Sequence, residues 1–513
     1  MKTKLTKYLP ASVWLRAYNK TAFKNDTVAS LIFTIMVIPQ SLAYAMLAGL
    51  PAITGLYASI LPSILYSLFG TSRSLAVGPV ALTSVMTASA ILPFATTGSE
   101  HYTTISILLA FMSGVFLLVL SLLKLGFLTN LLSHPVISGF ISASALLIVI
   151  GQVKYLLGIE STGSTLFPLA RSLYGHASEI NIPTLVLSTT SITALLIMRR
   201  YFSSFLEKCG CAQQYVQLFG KSGPVLVVLL TTFSVAWLSL DELGVSIIGA
   251  VPSTPLGLNF QQVNWQLMKE LLPSSVLISI VGFIGSVSVA QSFAAKRRQD
   301  IDPNQELVGL GLANIGSAAC GSFPVTGGFS RTVLNADCGS TSPMTGIISA
   351  LFILLTLLFL TPFFYYLPKA ILAAIISISM LQLVSVVDLK DLWRFSKKEA
   401  SLLIITFSIV MVEGMETGLI VGVALSILFF LWHTSHPHIA IVGRLPGTEH
   451  YRNVQRFAVE THPTILTVRI DENLFFANTR VFEERLQYLV SQNREIKHLV
   501  LMCTAINMID ASA

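Results

Sequence analysis

Long apolar runs alternate with short polar connections along most of the chain, from near Thr27 to His433. A run of about 18 or more apolar residues is long enough to cross the hydrocarbon core of a bilayer, roughly 30 Å thick, as a helix. We therefore expect an α-helical protein that crosses the membrane many times. The pattern predicts fourteen spans, at about 27–46, 51–69, 75–92, 103–123, 130–150, 180–200, 223–240, 270–293, 304–320, 327–338, 343–362, 366–386, 399–412 and 416–433.

After His436 the pattern changes, because charged residues now recur every few positions. An extended run at 438–447 and a β-rich run at 465–470 precede an amphipathic helix from about Arg480 to Val490, and an apolar strand follows at 498–503. Strand, helix and strand at this spacing predict a small α/β domain with a partly parallel sheet. The sequence stops directly after the last strand, where a further helix would cover the sheet, so we expect a partial domain.

The composition agrees with a membrane protein. Of the 513 residues, 53% are hydrophobic and only 11% are charged, and the mean hydropathy is +0.73. Soluble proteins carry about 25% charged residues. The formal net charge is +7, but the basic residues are spread over short connections rather than gathered on one face. This distribution argues against nucleic-acid binding.

The basic residues also predict an orientation, because cytoplasmic connections are enriched in Lys and Arg. With a cytoplasmic N-terminus, the outer connections hold only Lys154, Arg171, Lys269 and Lys369. We therefore expect a multi-pass protein of the inner (cell) membrane with both termini in the cytoplasm. The predicted division is a cytoplasmic segment at 1–25, a transmembrane domain at 26–435 and the partial α/β domain at 436–513. The first 24 residues are basic and lack the apolar core of a cleavable signal peptide.

Enzymatic and metal-binding patterns are missing from the sequence. We find no HExxH, nucleophile elbow or P-loop pattern, so we do not expect an enzyme. The five cysteines are odd in number and include Cys209 and Cys211 in a cytoplasmic connection, which favours reduced thiols over disulfides. The crowding of His433, His436 and His438 suits an interfacial linker better than a metal site. We therefore predict neither a cofactor nor a bound metal.

Two short segments interrupt the helical pattern at corresponding positions of the two halves. Gly78 and Pro79 lead into VALTSVMTASA, and Thr326 to Gly328 lead into FSRTVLNADCG. Paired short segments broken by Gly or Pro are typical of transporters built from repeats, with the substrate site at the membrane midplane. With seven spans in each half, the second half is inverted, so the two short helices are expected to point their N-termini at each other.

Arg331 stands in the first turn of the second short helix, although a guanidinium is costly at membrane depth. Two helix N-termini that face each other favour an anion, and Arg331 would add a full positive charge beside it. Gly327 and Gly328 would let the backbone approach the ligand, and Ser330 offers a hydroxyl. The alternative is an internal ion pair; the nearest acids in the sequence are Asp337, Glu413 and Glu416.

Two long blocks carry a family resemblance. The run IPQSLAYAMLAGLPAITGLYASILPSILYSLFGTSRSLAVGPVALTS (38–84) resembles the signature region of the SulP (sulfate permease) anion transporters. The run NQELVGLGLANIGSAACGSFPVTGGFSRT (304–332) is similar to the second diagnostic block of that family. The C-terminal part resembles the cytoplasmic STAS domain that SulP proteins carry, with IDASA near its characteristic turn.

The resemblance implies a seven-plus-seven inverted repeat, divided into core and gate domains that move like an elevator, and a homodimer in the lipid bilayer. It also implies a small inorganic anion as the substrate, such as sulfate, bicarbonate or chloride. The anion would lie between the third and tenth spans with help from the first. The positions that match are Gln40, Tyr44, Pro79, Val80, Ala81, Phe329, Ser330 and Arg331, beside Gly327 and Gly328.

One departure from the family concerns ion coupling. Many members resemble GFMES where this chain has GFIGS (282–286), so Gly285 stands in place of a carboxylate. Because a membrane-embedded acid is the natural carrier of a coupled proton or ligand of sodium, its loss favours anion exchange over cation symport. Glu306 is expected to cap the ninth span near Asn304.

The expected function is therefore secondary transport of sulfate or a similar small inorganic anion by elevator-type alternating access. Two alternatives remain open at this stage. The first is an anion-sensing membrane protein whose STAS domain is the output. The second is a bicarbonate, dicarboxylate or chloride exchanger of the same family. A nucleobase carrier of the same fold is disfavoured, because it would use carboxylates to read base edges.

Overall fold

A computed structural model describes residues 9–130, 133–161, 163, 165–208, 223–249 and 264–513. Cys209 and Cys211 lie outside the described residues, as do residues 1–8 of the predicted cytoplasmic segment at 1–25. The chain forms two compact units, Met1–Gly422 and Val423–Ala513. Each unit is described by itself.

Every predicted span corresponds to a helix. We number these helices α1 to α14: Lys20–Leu47, Leu61–Phe69, Ala81–Ile91, Glu100–Leu122, His134–Leu157, Ile182–Lys208, Gly223–Leu238, Trp265–Arg297, Pro303–Ala319, Phe329–Asp337, Met344–Phe359, Lys369–Leu381, Lys397–Glu413 and Met415–Ser435. Shorter helical segments lie at Ala11–Trp14, Leu15–Ala17, Thr54–Tyr57, Leu125–Asn130, Leu166–Gly175, Ala177–Glu179, Thr361–Phe364 and Val386–Phe395. The predicted polytopic helical architecture is thus confirmed.

Two predicted spans differ in detail from the observed helices. The second is broken into Thr54–Tyr57 and α2, and Pro62 occupies the first turn of α2, where its missing N–H costs nothing. Gly55 in the first piece packs directly on the Ser41 carbonyl of α1, where any Cβ would overlap. The twelfth span ends at Leu381, and a separate amphipathic helix follows at Val386–Phe395 with Ser385 as its N-cap.

The helices of the first unit pack in two main groups. In one group α9 lies against α4 and α2, and α11 lies against α1 and α2. In the other, α5 packs on α12 and α13, and α6 packs on α7 and α12. Small residues allow close approach: a Cβ at Gly114 of α4 would lie 2.8 Å from the Gly311 carbonyl oxygen of α9. Such small-residue contacts are typical of helix packing in membranes.

The first unit contains two short strands, β1 Val77–Gly78 and β2 Thr326–Gly327. The strands of the second unit are β3 Ile439–Arg444, β4 Tyr451–Asn453, β5 Ile465–Ile470 and β6 His498–Met502, and helix α15 spans Thr479–Ser491 between β5 and β6. These four strands form one sheet in the order β4-β3-β5-β6. The β5–β6 pair is parallel and the other pairs are antiparallel. The predicted partly parallel sheet is confirmed, whereas the short strand β4 was not predicted. Ile470, Leu474 and Phe482 form its apolar core.

Candidate anion-binding site

Two short strands pair in the first unit, and we call this pairing the crossing. Strand β1, Val77–Gly78, pairs antiparallel with β2, Thr326–Gly327. Helix α3 begins three residues after β1, and α10 begins two residues after β2. These two helices have 11 and 9 residues, which is too short to cross the membrane, because a spanning helix needs about 20 residues. Extended chain supplies the first part of each span. The two N-termini therefore lie close to the crossing.

Neither of the two helices has a side-chain cap at its N-terminus. The N-cap residues, Val80 and Gly328, have extended backbones and offer no oxygen to the first-turn N–H groups. Uncapped first-turn N–H groups and the positive end of the helix dipole are suited to an anion. Strand β2 is held from the other side, because the Gly327 N–H donates to Ser286 Oγ of α8 at 2.8 Å.

Arg331 lies beneath the crossing and is only 2% exposed. Its Nη1 donates to Ser41 Oγ and to the Pro79 carbonyl, both at 3.3 Å, and its Nη2 donates to Ser59 Oγ at 3.4 Å. The guanidinium packs flat against Gly78, since a Cβ there would lie 2.6 Å from Arg331 Cζ. Among the described residues, no carboxylate forms an ion pair with Arg331, and its Nε has no hydrogen-bond partner. The internal ion pair considered from the sequence is not observed.

A cavity of about 410 Å³ opens beside the crossing. We call it the first cavity; residues of α1, α6, α7, α10 and α12 line it. Of the ten residues predicted from the sequence, Gln40 and Ser330 line this cavity. The Gln40 Oε1 atom is buried and has no protein partner. The cavity wall therefore presents an amide and a hydroxyl close to the two helix N-termini.

The other predicted residues lie behind or beside this wall. Tyr44 and Ala81 are buried, and Val80 is half-buried. Pro79, Gly327 and Gly328 are also buried. Phe329 is 51% exposed and its ring faces that of Phe293 on α8, with 6.5 Å between the ring centroids. The structure thus brings the predicted set together around one crossing, although only two of its members line the first cavity.

Three polar residues of the first cavity were missed by the sequence reasoning. Ser379 and Gln382 come from the end of α12, and Arg199 comes from α6. Ser379 and Gln382 are three residues apart, which places them on one helix face. That spacing is the only sequence signal for Ser379 and Gln382. Arg199 is one of the basic residues that the predicted orientation places in a cytoplasmic connection, and no pattern assigns it to a site. Their helices belong to the second packing group, so only the tertiary fold places them opposite α1 and α10.

The expectation that Glu306 caps α9 is wrong. The N-cap is Asp302, whose side chain accepts hydrogen bonds from the N–H groups of Asn304 and Gln305. The Glu306 carboxylate is fully buried and accepts from Tyr66 Oη at 2.7 Å, from the N–H and hydroxyl of Thr71 and from the Ser72 N–H. Glu306 thereby fixes the connection that leads into β1.

Asp26 fixes the chain after α10 in the same manner. Its buried carboxylate accepts from the N–H and hydroxyl of Thr341, both at 2.8 Å, from Ser342 Oγ at 2.6 Å and from Tyr18 Oη. A buried carboxylate is stable when several donors satisfy its oxygens. These two buried acids of the first unit are therefore occupied by neutral donors, and the positive charge of Arg331 is left uncompensated by them.

Metal ligation finds no support in the described part of the chain, which contains no group of three or more His, Cys, Asp and Glu residues able to hold a metal ion. His438 instead contacts the Asp471 carboxylate, with 2.9 Å between Nδ1 and Oδ2. Cys320 and Cys503 are free thiols.

Comparison with known families decides the identity of this architecture. The model of the sulfate permease family matches residues 23–406, which is most of the chain. The chain belongs to the sulfate permease family. A STAS domain model matches residues 456–513, within the second unit of this family member. The family resemblance noted in the sequence and the predicted STAS domain are both confirmed.

Relatives of this sulfate permease family member include the chloroplastic sulfate transporter 4.1 of Arabidopsis thaliana. It is 36% identical over 518 residues, covering 98% of this chain and 74% of the relative. High affinity sulfate transporter 2 of Stylosanthes hamata is 31% identical over 521 residues, covering 98% and 77%. The probable sulfate transporter MT1781 of Mycobacterium tuberculosis (strain CDC 1551 / Oshkosh) is 30% identical over 487 residues, covering 95% and 84%.

Solved structures share the fold. The murine Solute Carrier 26 family member A9 (Slc26a9) anion transporter in its inward-facing state superposes with a TM-score of 0.89 at 22% identity, covering all of this chain and 85% of the other. The transmembrane domain of a cyanobacterium bicarbonate transporter, BicA, superposes with a TM-score of 0.64 at 20% identity, covering 80% and 98%. The fold of this family member is therefore that of a multi-pass membrane protein followed by a STAS domain.

Proposed function

We propose that this protein is a secondary transporter that moves sulfate or a similar small inorganic anion across the membrane by alternating access. The observation that carries the proposal is the guanidinium of Arg331, buried beneath two uncapped helix N-termini with no carboxylate partner among the described residues. A positive centre of this kind in a low-dielectric setting favours an anionic ligand. Three relatives at 30–36% identity are named as sulfate transporters or probable ones, which supports sulfate as the first substrate to test.

Two cavities at opposite ends of the same helices support alternating access. A second cavity, of about 880 Å³, is lined by Met46 at the end of α1, Thr184 at the start of α6 and Lys369 at the start of α12. The first cavity is lined by residues farther along α6 and α12 and by the middle of α1. The anion would be held near the crossing of β1 and β2 and reached from one cavity at a time.

We further propose that the two packing groups move relative to each other as core and gate, in an elevator-type motion. The helices α1 and α10 of the core would carry Gln40 and Ser330 past the wall formed by α6, α7 and α12. Pro79, Val80, Ala81 and Gly327 to Phe329 would form the backbone cradle of the anion, with Tyr44 packed behind it. Arg331 would act on the anion mainly through its charge in the conformation described, because its side chain does not line the first cavity.

The coupling mode follows from Gly285. A Cβ at this position would meet no other atom within 4 Å, so the α8 surface has room for a side chain but presents no ionisable group there. We therefore favour exchange of one anion for another over symport with a proton or sodium ion. Bicarbonate, chloride and dicarboxylates could bind the same backbone amides and be attracted by the same positive charge. The alternative hypothesis is therefore an exchanger of one of these anions.

We also propose the domain division, the orientation and the oligomeric state that the sequence predicts. Residues 26–435 would form the transport domain, with 1–25 and the partial STAS domain at 436–513 in the cytoplasm. Orientation rests on the distribution of Lys and Arg. The functional form would be a homodimer in the inner (cell) membrane.

Uptake of labelled sulfate into proteoliposomes tests the proposal. We expect saturable uptake by the unmodified protein, weaker uptake by Ser330→Ala and Arg331→Ala, and unchanged uptake by the control Gly285→Ala. Competition by bicarbonate, chloride, oxalate and succinate, with and without pH or sodium gradients, would rank the substrates and identify the coupling. Sulfate binding without any flux would overturn the transporter proposal in favour of an anion sensor, and equal uptake by both site variants would overturn the assigned site.

A further inference from the structure

The second cavity contains a pair of lysines that the anion site at the crossing does not use. Lys154 of α5 and Lys369, the first residue of α12, both line it and both are half-buried. Both lysines therefore bring positive charge to the same cavity. Two ammonium groups in a partly apolar cavity repel each other, and the repulsion is larger there than in bulk water.

Neither lysine has a carboxylate partner among the described residues. Lys154 Nζ donates to the Ser161 carbonyl at 3.4 Å, a long hydrogen bond to a neutral group, and lies 5.1 Å from the centroid of the Tyr155 ring. Within the described part of the chain, Lys369 Nζ forms no ion pair. Glu160, which is exposed, is the only acid among the described residues that line the cavity. Two lysines and one glutamate leave the lining with a formal charge of +2 − 1 = +1.

The position of Lys369 on its helix adds to the unpaired charge. The N-terminus of α12 already carries the positive end of the helix dipole, where acidic residues are favoured and a lysine is unfavourable. The N-cap is Pro368, which supplies no side-chain acceptor to the first turn. A cation at this place therefore costs stability unless an anion lies near it. Lys154 of α5 lines the same cavity.

We propose that the second cavity is a capture site for small inorganic anions, in which Lys154 and Lys369 hold the anion before it passes to the crossing of β1 and β2. This inference rests on the proposed transport function and adds a site at the opposite end of α1, α6 and α12 from the first cavity. Capture by a positive cavity raises the local anion concentration and the rate of association, and salt weakens the effect. The two lysines thus set the apparent affinity from one side of the membrane.

The chain offers a matched control for these two lysines. Arg171 and Lys269 are the other two basic residues predicted on the same side of the membrane, and neither lines the second cavity. The double variant Lys154→Gln/Lys369→Gln and the double variant Arg171→Gln/Lys269→Gln remove the same charge from that side. Only the first pair removes charge from the cavity.

The test measures initial sulfate uptake by oriented full-length protein in proteoliposomes, from the side of the second cavity, over a range of ionic strength. For Lys154→Gln/Lys369→Gln we expect a KM about tenfold higher at low salt, an unchanged maximal rate and a weaker salt dependence. The Arg171→Gln/Lys269→Gln variant should match the unmodified protein. Equal changes in the two double variants, or none in either, would overturn the capture site. If the lysine variant loses maximal rate as well, Lys154→Arg/Lys369→Arg must restore uptake, and failure to do so also overturns it.

A binding measurement separates failure of this inference from failure of the transport proposal. We expect sulfate to slow acetylation of Lys154 and Lys369 by an acetylating reagent, measured by peptide mass spectrometry, while Lys269 reacts at the same rate with and without sulfate. Protection without sulfate flux would retain the capture site and remove the transport proposal. Flux without protection of either lysine would do the opposite.

Discussion

Two arginines show how differently the two units of this protein accommodate a guanidinium. Arg469 lies in β5 of the second unit, which we call the STAS unit, and is partly exposed. It donates from Nε to Asp471 Oδ1 at 2.6 Å and from Nη2 to Asp471 Oδ2 at 3.2 Å. Arg331 in the membrane unit is buried, and all of its acceptors are hydroxyl or carbonyl oxygens at 3.3 Å or more. One charge is neutralised locally and the other is not.

The difference has a physical cause. An exposed ion pair is screened by water and contributes about 0–1 kcal/mol, so the pairing of Arg469 has little consequence beyond its own strand. A buried charge without a counter-ion is costly, and a folded protein retains it where it has a role. The unpaired arginine, rather than the paired one, therefore marks the region that we expect to bind the anion.

Removal of Arg331 should have the largest effect. We expect Arg331→Ala to raise the KM for sulfate roughly 10- to 100-fold, because a charge-assisted hydrogen bond contributes about 1.5–3 kcal/mol. Arg331→Lys should be intermediate, since it keeps the charge but loses the planar fork that spans Ser41, Ser59 and Pro79. Uptake kinetics in proteoliposomes measure the effect, with Arg469→Ala as the control. An unchanged KM in Arg331→Ala would remove the contrast between the two arginines.

Substitution of two glycines on α8 tests whether sulfate uptake depends on the position of β2, which packs against this helix. A Cβ at Gly282 would overlap the Thr326 side chain of β2, whereas a Cβ at Gly285 meets open space. Both changes gain about 1 kcal/mol of helix propensity, so the difference between them reports packing alone. We expect Gly282→Ala to lower sulfate uptake severalfold and Gly285→Ala to leave uptake unchanged and raise the thermal stability. Equal behaviour of the two variants would mean that β2 adjusts freely.

Ser330 tests the wall of the first cavity without altering any charge. A single hydrogen bond from a hydroxyl contributes about 1 kcal/mol, so Ser330→Ala should raise the KM for sulfate roughly fivefold. Ser292, on the exposed face of α8 with its hydroxyl bonded to the Ser288 carbonyl, provides the control as Ser292→Ala. A KM for Ser330→Ala equal to that of the control would exclude the hydroxyl as a ligand of the anion.

The ion pair of the STAS unit should show the smallest effect. The hydrogen bond from Arg469, and to a smaller extent the contact with His438, lowers the pKa of Asp471. Its stabilising contribution is therefore complete above the unfolded-state pKa of about 3.9 and is lost as the pH falls toward the lowered folded-state pKa. Since the pair is partly exposed, we expect less than about 1 kcal/mol.

Hydrogen exchange of the β5 amides in the full-length protein, compared between pH 5 and pH 3 after correction for intrinsic rates, measures this contribution. Asp471→Asn should abolish the extra pH dependence. Glu484→Gln, which breaks the exposed pair with Arg480 on α15, should leave it in place. A pH dependence that persists in Asp471→Asn would assign it to another group.

The helical architecture was predictable because lipid imposes a simple rule on sequence. A span must be apolar over its length and satisfy its backbone internally, so hydropathy located most of the helices. The exception is α10, which is short and not apolar and was located from the glycines that precede it. Gly78, Pro79 and Gly327 marked the two places where the chain is extended, since glycine and proline interrupt helices for local steric reasons. The parallel β5–β6 pair followed likewise from the strand, helix, strand order.

The sequence by itself determined the spans, the two breaks and the presence of an arginine at membrane depth, because these depend on each residue and its near neighbours. Only the tertiary structure decided that Glu306 and Asp26 accept hydrogen bonds from distant connections, so that no acid in the described part of the chain pairs with Arg331. It also decided that Arg199, Ser379 and Gln382 face Gln40 and Ser330 across one cavity. Most of these residues are more than a hundred positions apart in the sequence, and helix packing, which no local pattern encodes, sets the distances between them.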